Sequence, residues 1–148
     1  MTVEVRVRRL EHAVGLPLPS YASAGAAGAD LCSAEPGSVV IAPGERVALA
    51  TGLVIELPDG FEAQVRPRSG LAARHGITVA NAPGTIDSDY RGEVRVLLVN
   101  LGGTDVTVER GDRIAQLVIA PVTRVEFVES RHLDDSGRGT GGFGSTGR

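Results

Sequence analysis

The residue types best suited to chemistry are concentrated in one stretch, Gly84-Thr85-Ile86-Asp87-Ser88-Asp89-Tyr90-Arg91-Gly92-Glu93-Val94. An apolar residue and an acid lead into a polar pair, and an aromatic and a glycine lead out to alternating Val94, Val96 and Leu98. The pattern predicts a β-hairpin with Asp87 and Tyr90 at its tip. Such a ribbon offers main-chain donors and acceptors to a flat ligand, a ring to lie against a sugar, and a carboxylate beside both. Read alone, it also fits a surface hairpin whose acids merely favour turns.

Three other segments carry polar groups at suggestive places. Arg66-Pro67-Arg68-Ser69-Gly70-Leu71 ends one strand and opens a helical turn over 69–75, with Ser69 at the N-cap and Gly76 at the stop. Unpaired amides and the positive end of a helix dipole there make a phosphate cradle, to which Arg68 adds charge and Ser69 a hydroxyl. The alternative is an ordinary cap with solvated arginines. Asp30, in Ala26-Ala27-Gly28-Ala29-Asp30-Leu31, reads by itself as a loop acid. In Arg110-Gly111-Asp112-Arg113-Ile114-Ala115-Gln116-Leu117, Asp112 and Arg113 read as turn residues, and Ile114, Leu117 and Ile119 as core.

The elements that must position these groups are short strands. Segments 3–7, 38–41, 46–49, 53–57 and 61–65 make a first set, and 93–99, 106–108, 114–119 and 125–128 a second. Ala42-Pro43-Gly44, Pro58-Asp59-Gly60, Ala82-Pro83-Gly84 and Gly102-Gly103 supply the turns between them. This spacing predicts an all-β barrel or jelly roll. Residues 1–135 are expected to form one β domain. Residues 136–148 are dominated by glycine, with Phe143 the only large apolar side chain, and cannot hold themselves folded.

Taken in order, these segments resemble the five motifs of the trimeric dUTPases. Ala26 to Leu31 is similar to the first, Arg68 to Leu71 to the second, Gly84 to Val94 to the third, Arg110 to Leu117 to the fourth and Arg138 to Gly147 to the fifth. The resemblance implies a homotrimeric, jelly-roll-like dUTP diphosphatase that releases dUMP and pyrophosphate with Mg²⁺. It implies that Asp30 reaches the substrate-bound metal through water, and that Arg68, Ser69 and Gly70 hold the phosphate chain. Asn81 and the main chain of Thr85, Ile86 and Arg95 would read uracil, whose edge needs both donors and acceptors. Tyr90 would pack against deoxyribose and leave no room for a 2′-hydroxyl. Asp87 would position and activate the attacking water, and Gln116 would contact substrate. The tail would act as a lid: Arg138 pairs with the terminal phosphate, Phe143 stacks over the base, and Gly144 and Ser145 join the wrap around the phosphates. Each active site would draw on three chains. The segment lacks the Lys-Ser/Thr ending of a P-loop. A related reading, dCTP deaminase, needs a glutamate acid/base in place of the Asp87–Tyr90 pair. A third is a nucleotide-binding regulatory trimer without turnover.

Composition narrows the rest. The chain has 148 residues and a net charge of −3, which argues against a general nucleic-acid or membrane-surface binder. Aromatics make up only 3%, so the core must be aliphatic. Every basic side chain apart from histidine is arginine, so arginine alone does not mark a phosphate ligand. Cys32 is the sole cysteine and excludes an internal disulfide. The opening residues alternate charge with valine and contain no apolar h-region, the pattern of a cytoplasmic protein without a signal peptide. His12, His75 and His132 are scattered and receive no role.

Overall fold

The protein is described here from a computed structural model covering residues 2–147. Met1 and Arg148, the last residue of the expected glycine-rich segment, lie outside the described residues.

Eleven strands lie among the described residues. They are β1 (Arg6–Arg9), β2 (Ser20–Tyr21), β3 (Ala29–Cys32), β4 (Val39–Ile41), β5 (Arg46–Glu56), β6 (Phe61–Arg66), β7 (Ile77–Val79), β8 (Gly84–Ile86), β9 (Glu93–Asn100), β10 (Val106–Val108) and β11 (Arg113–Pro121). One short helix, α1 (Ser69–His75), and a 3-10 turn (Glu11–Ala13) complete the elements. All pairings are antiparallel. One sheet runs β1-β5-β9-β7, a second β2-β3-β11-β6-β8, and β10 and β4 form a ribbon.

The two sheets share one aliphatic core. In β9, Val94, Val96 and Leu98 point inward while Arg95 and Leu97 point out. They meet Leu49, Leu53 and Ile55 of β5, and Ala63, Val65, Ile86 and Leu117 of the second sheet. Each fully buried Leu, Ile or Val contributes about 1.5–3 kcal/mol. Asn100 is fully buried at the end of β9, with its amide satisfied: Nδ2 donates to the carbonyls of Ile41 and Thr104, and Oδ1 accepts from Gly102 N–H, each at 2.8 Å.

Several strand expectations are corrected. Segments 46–49 and 53–57 are one strand, because the Ala50-Thr51-Gly52 stretch that reads as a break is a register shift within β5. The first strand lies at Arg6–Arg9 rather than 3–7. Segment 125–128 forms no strand: no neighbouring strand pairs with it, and Val125, Phe127 and Val128 are exposed, Phe127 to 95%. The helix bounds agree with the sequence, but its N-cap is Arg68, not Ser69. No helix among the described residues is long and apolar enough to cross a membrane.

Candidate active site

The expected hairpin is not a hairpin. β8 pairs with β6 in one sheet, whereas β9 pairs with β5 and β7 in the other. Their apolar residues face the same core from opposite sides, so the chain must cross between sheets at Asp87–Gly92. The strand mouths therefore splay, and a slot of about 250 Å³ opens between them, lined by Thr85, Ile86, Asp87, Tyr90, Glu93 and Arg95 among others. A turn closes the tip, with Tyr90 N–H donating to Asp87 C=O at 3.1 Å. Arg91 braces that turn through the carbonyls of Ser88 (2.6 Å) and Tyr90 (3.0 Å).

Asp87 is exposed at the lip, and among the described residues no group donates to its carboxylate. Tyr90 is fixed more firmly. Its hydroxyl donates to Glu93 C=O at 3.0 Å, so the ring lies over Gly92. A β-carbon at Gly92 would stand 2.3 Å from that hydroxyl, so any larger residue there would push the ring aside. The Glu93 carboxylate in turn accepts from His12 Nε2 at 2.6 Å and from Gly52 N–H at 2.8 Å. Burial raises the Glu93 pKa, but these two bonds and the charges of His12 and Arg95 outweigh it and hold the group below the usual carboxylate value. Arg95 sends its guanidinium to Ala48 C=O at 2.9 Å. Asn81 sits in the turn before β8, its amide packed beside Gly84.

A second group forms around Asp30, which is 9% exposed on β3. Arg68 Nε and Gln116 Nε2 both lie 3.3 Å from Oδ1, and Arg113 Nη1 lies 3.3 Å from Oδ2. The turn role expected of Arg113 is corrected: it begins β11. A register shift between Arg113 and Ala115 turns Arg113 to the face of Gln116, so both oppose the Asp30–Cys32 side of β3. A β-carbon at Gly28 would come within 3.0 Å of Gln116, so the glycine leaves space for that amide. At α1 no side chain caps the helix, and Ser69 and Gly70 stand exposed beside Arg68. Cys32, next to this group, has its thiol pKa pushed up by burial first and by the Asp30 charge second, against the opposing arginines.

The tail stays apart from both groups. The described hydrogen bonds of segment 136–147 are internal, including Arg138 Nε to Gly141 C=O at 2.6 Å, and Phe143 is wholly exposed. Arg138, Phe143, Gly144 and Ser145 are thus not brought to the slot within one chain. Sequence reading missed His12, Glu93 and Arg113. Glu93 and Arg113 lay inside recognised motifs, Arg113 read only as a turn residue, and His12 lay outside them all.

Two chemical environments result. One is an open slot with main-chain groups, a half-exposed phenol hydrogen-bonded to Glu93 C=O, and a carboxylate that accepts no bond among the described residues. The other is an arginine-rich group beside a helix start, suited to phosphate. No cluster of three metal-ligating side chains occurs among the described residues. A carboxylate has about four lone-pair positions. Three donors reach Asp30, each at 3.3 Å. The donor set suits water-mediated contact with a cation carried by a ligand, not a resident cage.

Comparison with known proteins agrees with these features. A family model described as dUTPase matches residues 15–147. The dUTPase of Staphylococcus bacteriophage 80alpha, solved with dUpNHpp, is similar at 26% identity and a TM-score of 0.85, over 99% of this chain and 100% of that one. A variant of the same phage enzyme matches at 26% identity and TM-score 0.86, over 98% and 99%. A dUTPase variant from phage phi11 of S. aureus, described as coordinating a structural Mg(II) ion, shares the fold at 23% identity and TM-score 0.77, over 87% and 97%.

Proposed function

We propose, from the premise that this chain belongs to the dUTPase family, that it hydrolyses dUTP to dUMP and pyrophosphate, so lowering dUTP and supplying dUMP for thymidylate synthesis. The observation that carries the reading is the slot between β8 and β9, where Asp87 and Tyr90 share one lip.

In this reading the uracil enters the slot and meets the main chain of Thr85, Ile86 and Arg95, with Asn81 at its entrance. Tyr90 lies against the deoxyribose. Recognition by main-chain groups in a narrow slot rejects larger bases by shape. Asp87 holds a water in line with the α-phosphorus and accepts its proton as the oxygen attacks; the bond to the bridging oxygen breaks and pyrophosphate leaves. Arg68, Ser69, Gly70 and Gln116 orient the phosphates, and Asp30 holds Arg68 and Gln116 in place. Magnesium carried by the triphosphate would neutralise phosphate charge, with Asp30 facing its water shell. Arg138, Phe143, Gly144 and Ser145 close over the nucleotide and exclude water.

The homotrimer belongs to the same proposal. Val125, Phe127, Val128 and Leu133 are exposed in a segment that pairs with no strand among the described residues, which suits docking on a second copy. The tail's bonds are internal, which suits a lid that acts on a neighbouring subunit's slot. Mixing Asp87→Asn chains with tail-deleted chains and refolding them together is expected to restore activity. No recovery in confirmed mixed trimers would refute sharing.

Pyrophosphate release assayed on dUTP, dCTP and dTTP tests the activity, with dUTP expected to be strongly preferred. A second reading has support: the phage 80alpha dUTPase is described as controlling transfer of virulence genes by a proto-oncogenic G protein-like mechanism. Tight dUTP binding without pyrophosphate release would favour such a regulatory role here.

A further inference from the structure

One contact joins the 3-10 turn near the N-terminus to the lip of the slot. His12 Nε2 donates to Glu93 Oε1 at 2.6 Å across 81 residues of sequence. The histidine is presented from a turn that is held on both sides. Arg110 Nη1 donates to His12 C=O at 2.7 Å and to Ala34 C=O at 2.9 Å, and its Nη2 donates to Val14 C=O at 3.2 Å. Leu10 N–H, just before the turn, donates to Gly52 C=O at 2.8 Å. Gly52 also gives its own N–H to Glu93 Oε1, so two donors from two elements fix the glutamate. That glutamate's main-chain carbonyl is the acceptor for the Tyr90 hydroxyl.

We propose that His12 is a positioning residue for the slot: by holding Glu93 it fixes the carbonyl that anchors Tyr90, and so helps the protein prefer a deoxyribonucleotide over its ribonucleotide counterpart. This rests on the reading that Tyr90 packs against the sugar. His12 need not touch the nucleotide. Its imidazole is 41% exposed, so truncating it opens no buried cavity. Without it, Glu93 keeps one of its two anchors, and the Tyr90 ring gains freedom to move away from the sugar and admit a 2′-hydroxyl.

The test measures kcat and KM on dUTP and UTP for the full chain and for His12→Ala, His12→Gln, Glu93→Ala, Tyr90→Ala and the His12→Ala/Tyr90→Ala double variant. His12→Ala is expected to raise the UTP to dUTP ratio of kcat/KM about tenfold, the scale of one hydrogen bond to a charged group. His12→Gln, which keeps a donor, should return most of the preference, and Glu93→Ala should lose it as His12→Ala does. The double variant should show no higher ratio than Tyr90→Ala, because both changes act on one ring. An unchanged ratio in His12→Ala or in Glu93→Ala, while Tyr90→Ala raises it, overturns the proposal and leaves the sugar reading standing. An unchanged ratio in Tyr90→Ala shows that the sugar reading itself has failed, and the proposal falls with it.

Discussion

Arg113 and Gln116 reach the same carboxylate, that of Asp30, although they stand three positions apart on one strand. In a regular strand residues an odd number apart face opposite sides. The irregularity between Arg113 and Ala115 removes that conflict and gathers Arg68, Arg113 and Gln116 on one acid.

The first prediction follows from that convergence. Asp30→Asn leaves two guanidiniums facing an amide, in a site where Asp30 is buried but Arg113 is 55% exposed. Water can repair part of the loss, so a cost of about 1–2 kcal/mol is expected, below the 3–5 kcal/mol of a wholly buried pair. Urea unfolding measures it. Turnover should fall with it, since Arg68 and Gln116 lose their common anchor.

Gly92→Ala should act on selectivity rather than on folding. Its β-carbon would meet the end of a side chain that can swing aside, the Tyr90 hydroxyl. The ratio of UTP to dUTP turnover is expected to rise about tenfold, the scale of small steric changes in a binding pocket. Gly103→Ala, where a β-carbon has open space, serves as the control and should leave the ratio unchanged.

Glu93 gives a pH prediction with a definite sign. Its folded-state pKa is held below the ordinary 4.5, so it contributes stability above that value and the contribution is lost as pH falls through the folded one. The melting temperature of the native chain should therefore drop more steeply on acidification below about pH 5 than that of Glu93→Gln. Parallel curves would mean that the contacts to His12 and Gly52 do not lower this group.

Deleting residues from Arg138 onward removes no strand. The unliganded melting temperature should shift by no more than about 1–2 °C, as for surface changes in a chain of this size. Turnover on dUTP should fall about 10²-fold, the scale of losing phosphate or oxyanion donors. A large loss of thermal stability would place the tail in the folded body.

Much of the architecture was legible because it rests on alternation. Val94, Val96 and Leu98 mark β9, Val106 and Val108 mark β10, and the α1 bounds follow from Ser69 and Gly76. β3 was missed because a buried aspartate interrupts its apolar pattern, and its reason for burial, Arg68 and Arg113, lies far away in sequence. The 125–128 segment has the composition of a strand, yet a strand needs a partner and the described residues supply none. Two strands and a tight turn read the same whether they pair with each other or diverge to opposite sheets, so the hairpin was misjudged, although Asp87 and Tyr90 do lie at the turn that lines the slot. Asp30, Arg68 and Gln116 could be named from their motifs, and the structure brings them together. Arg113 could not, because one extra residue in β11 reverses its face, and His12 could not, because nothing local links it to Glu93.

The measurement that tests the central claim most directly is pyrophosphate release from dUTP by the native chain and by Asp87→Asn, with nucleotide affinity measured on both. The native chain should turn over dUTP in strong preference to dCTP and dTTP. The variant should bind dUTP with similar affinity but turn it over about 10²–10⁴-fold more slowly, because the amide keeps the shape of the carboxylate and cannot accept the water's proton. Near-normal turnover in the variant, or no preference for dUTP in the native chain, would contradict the account.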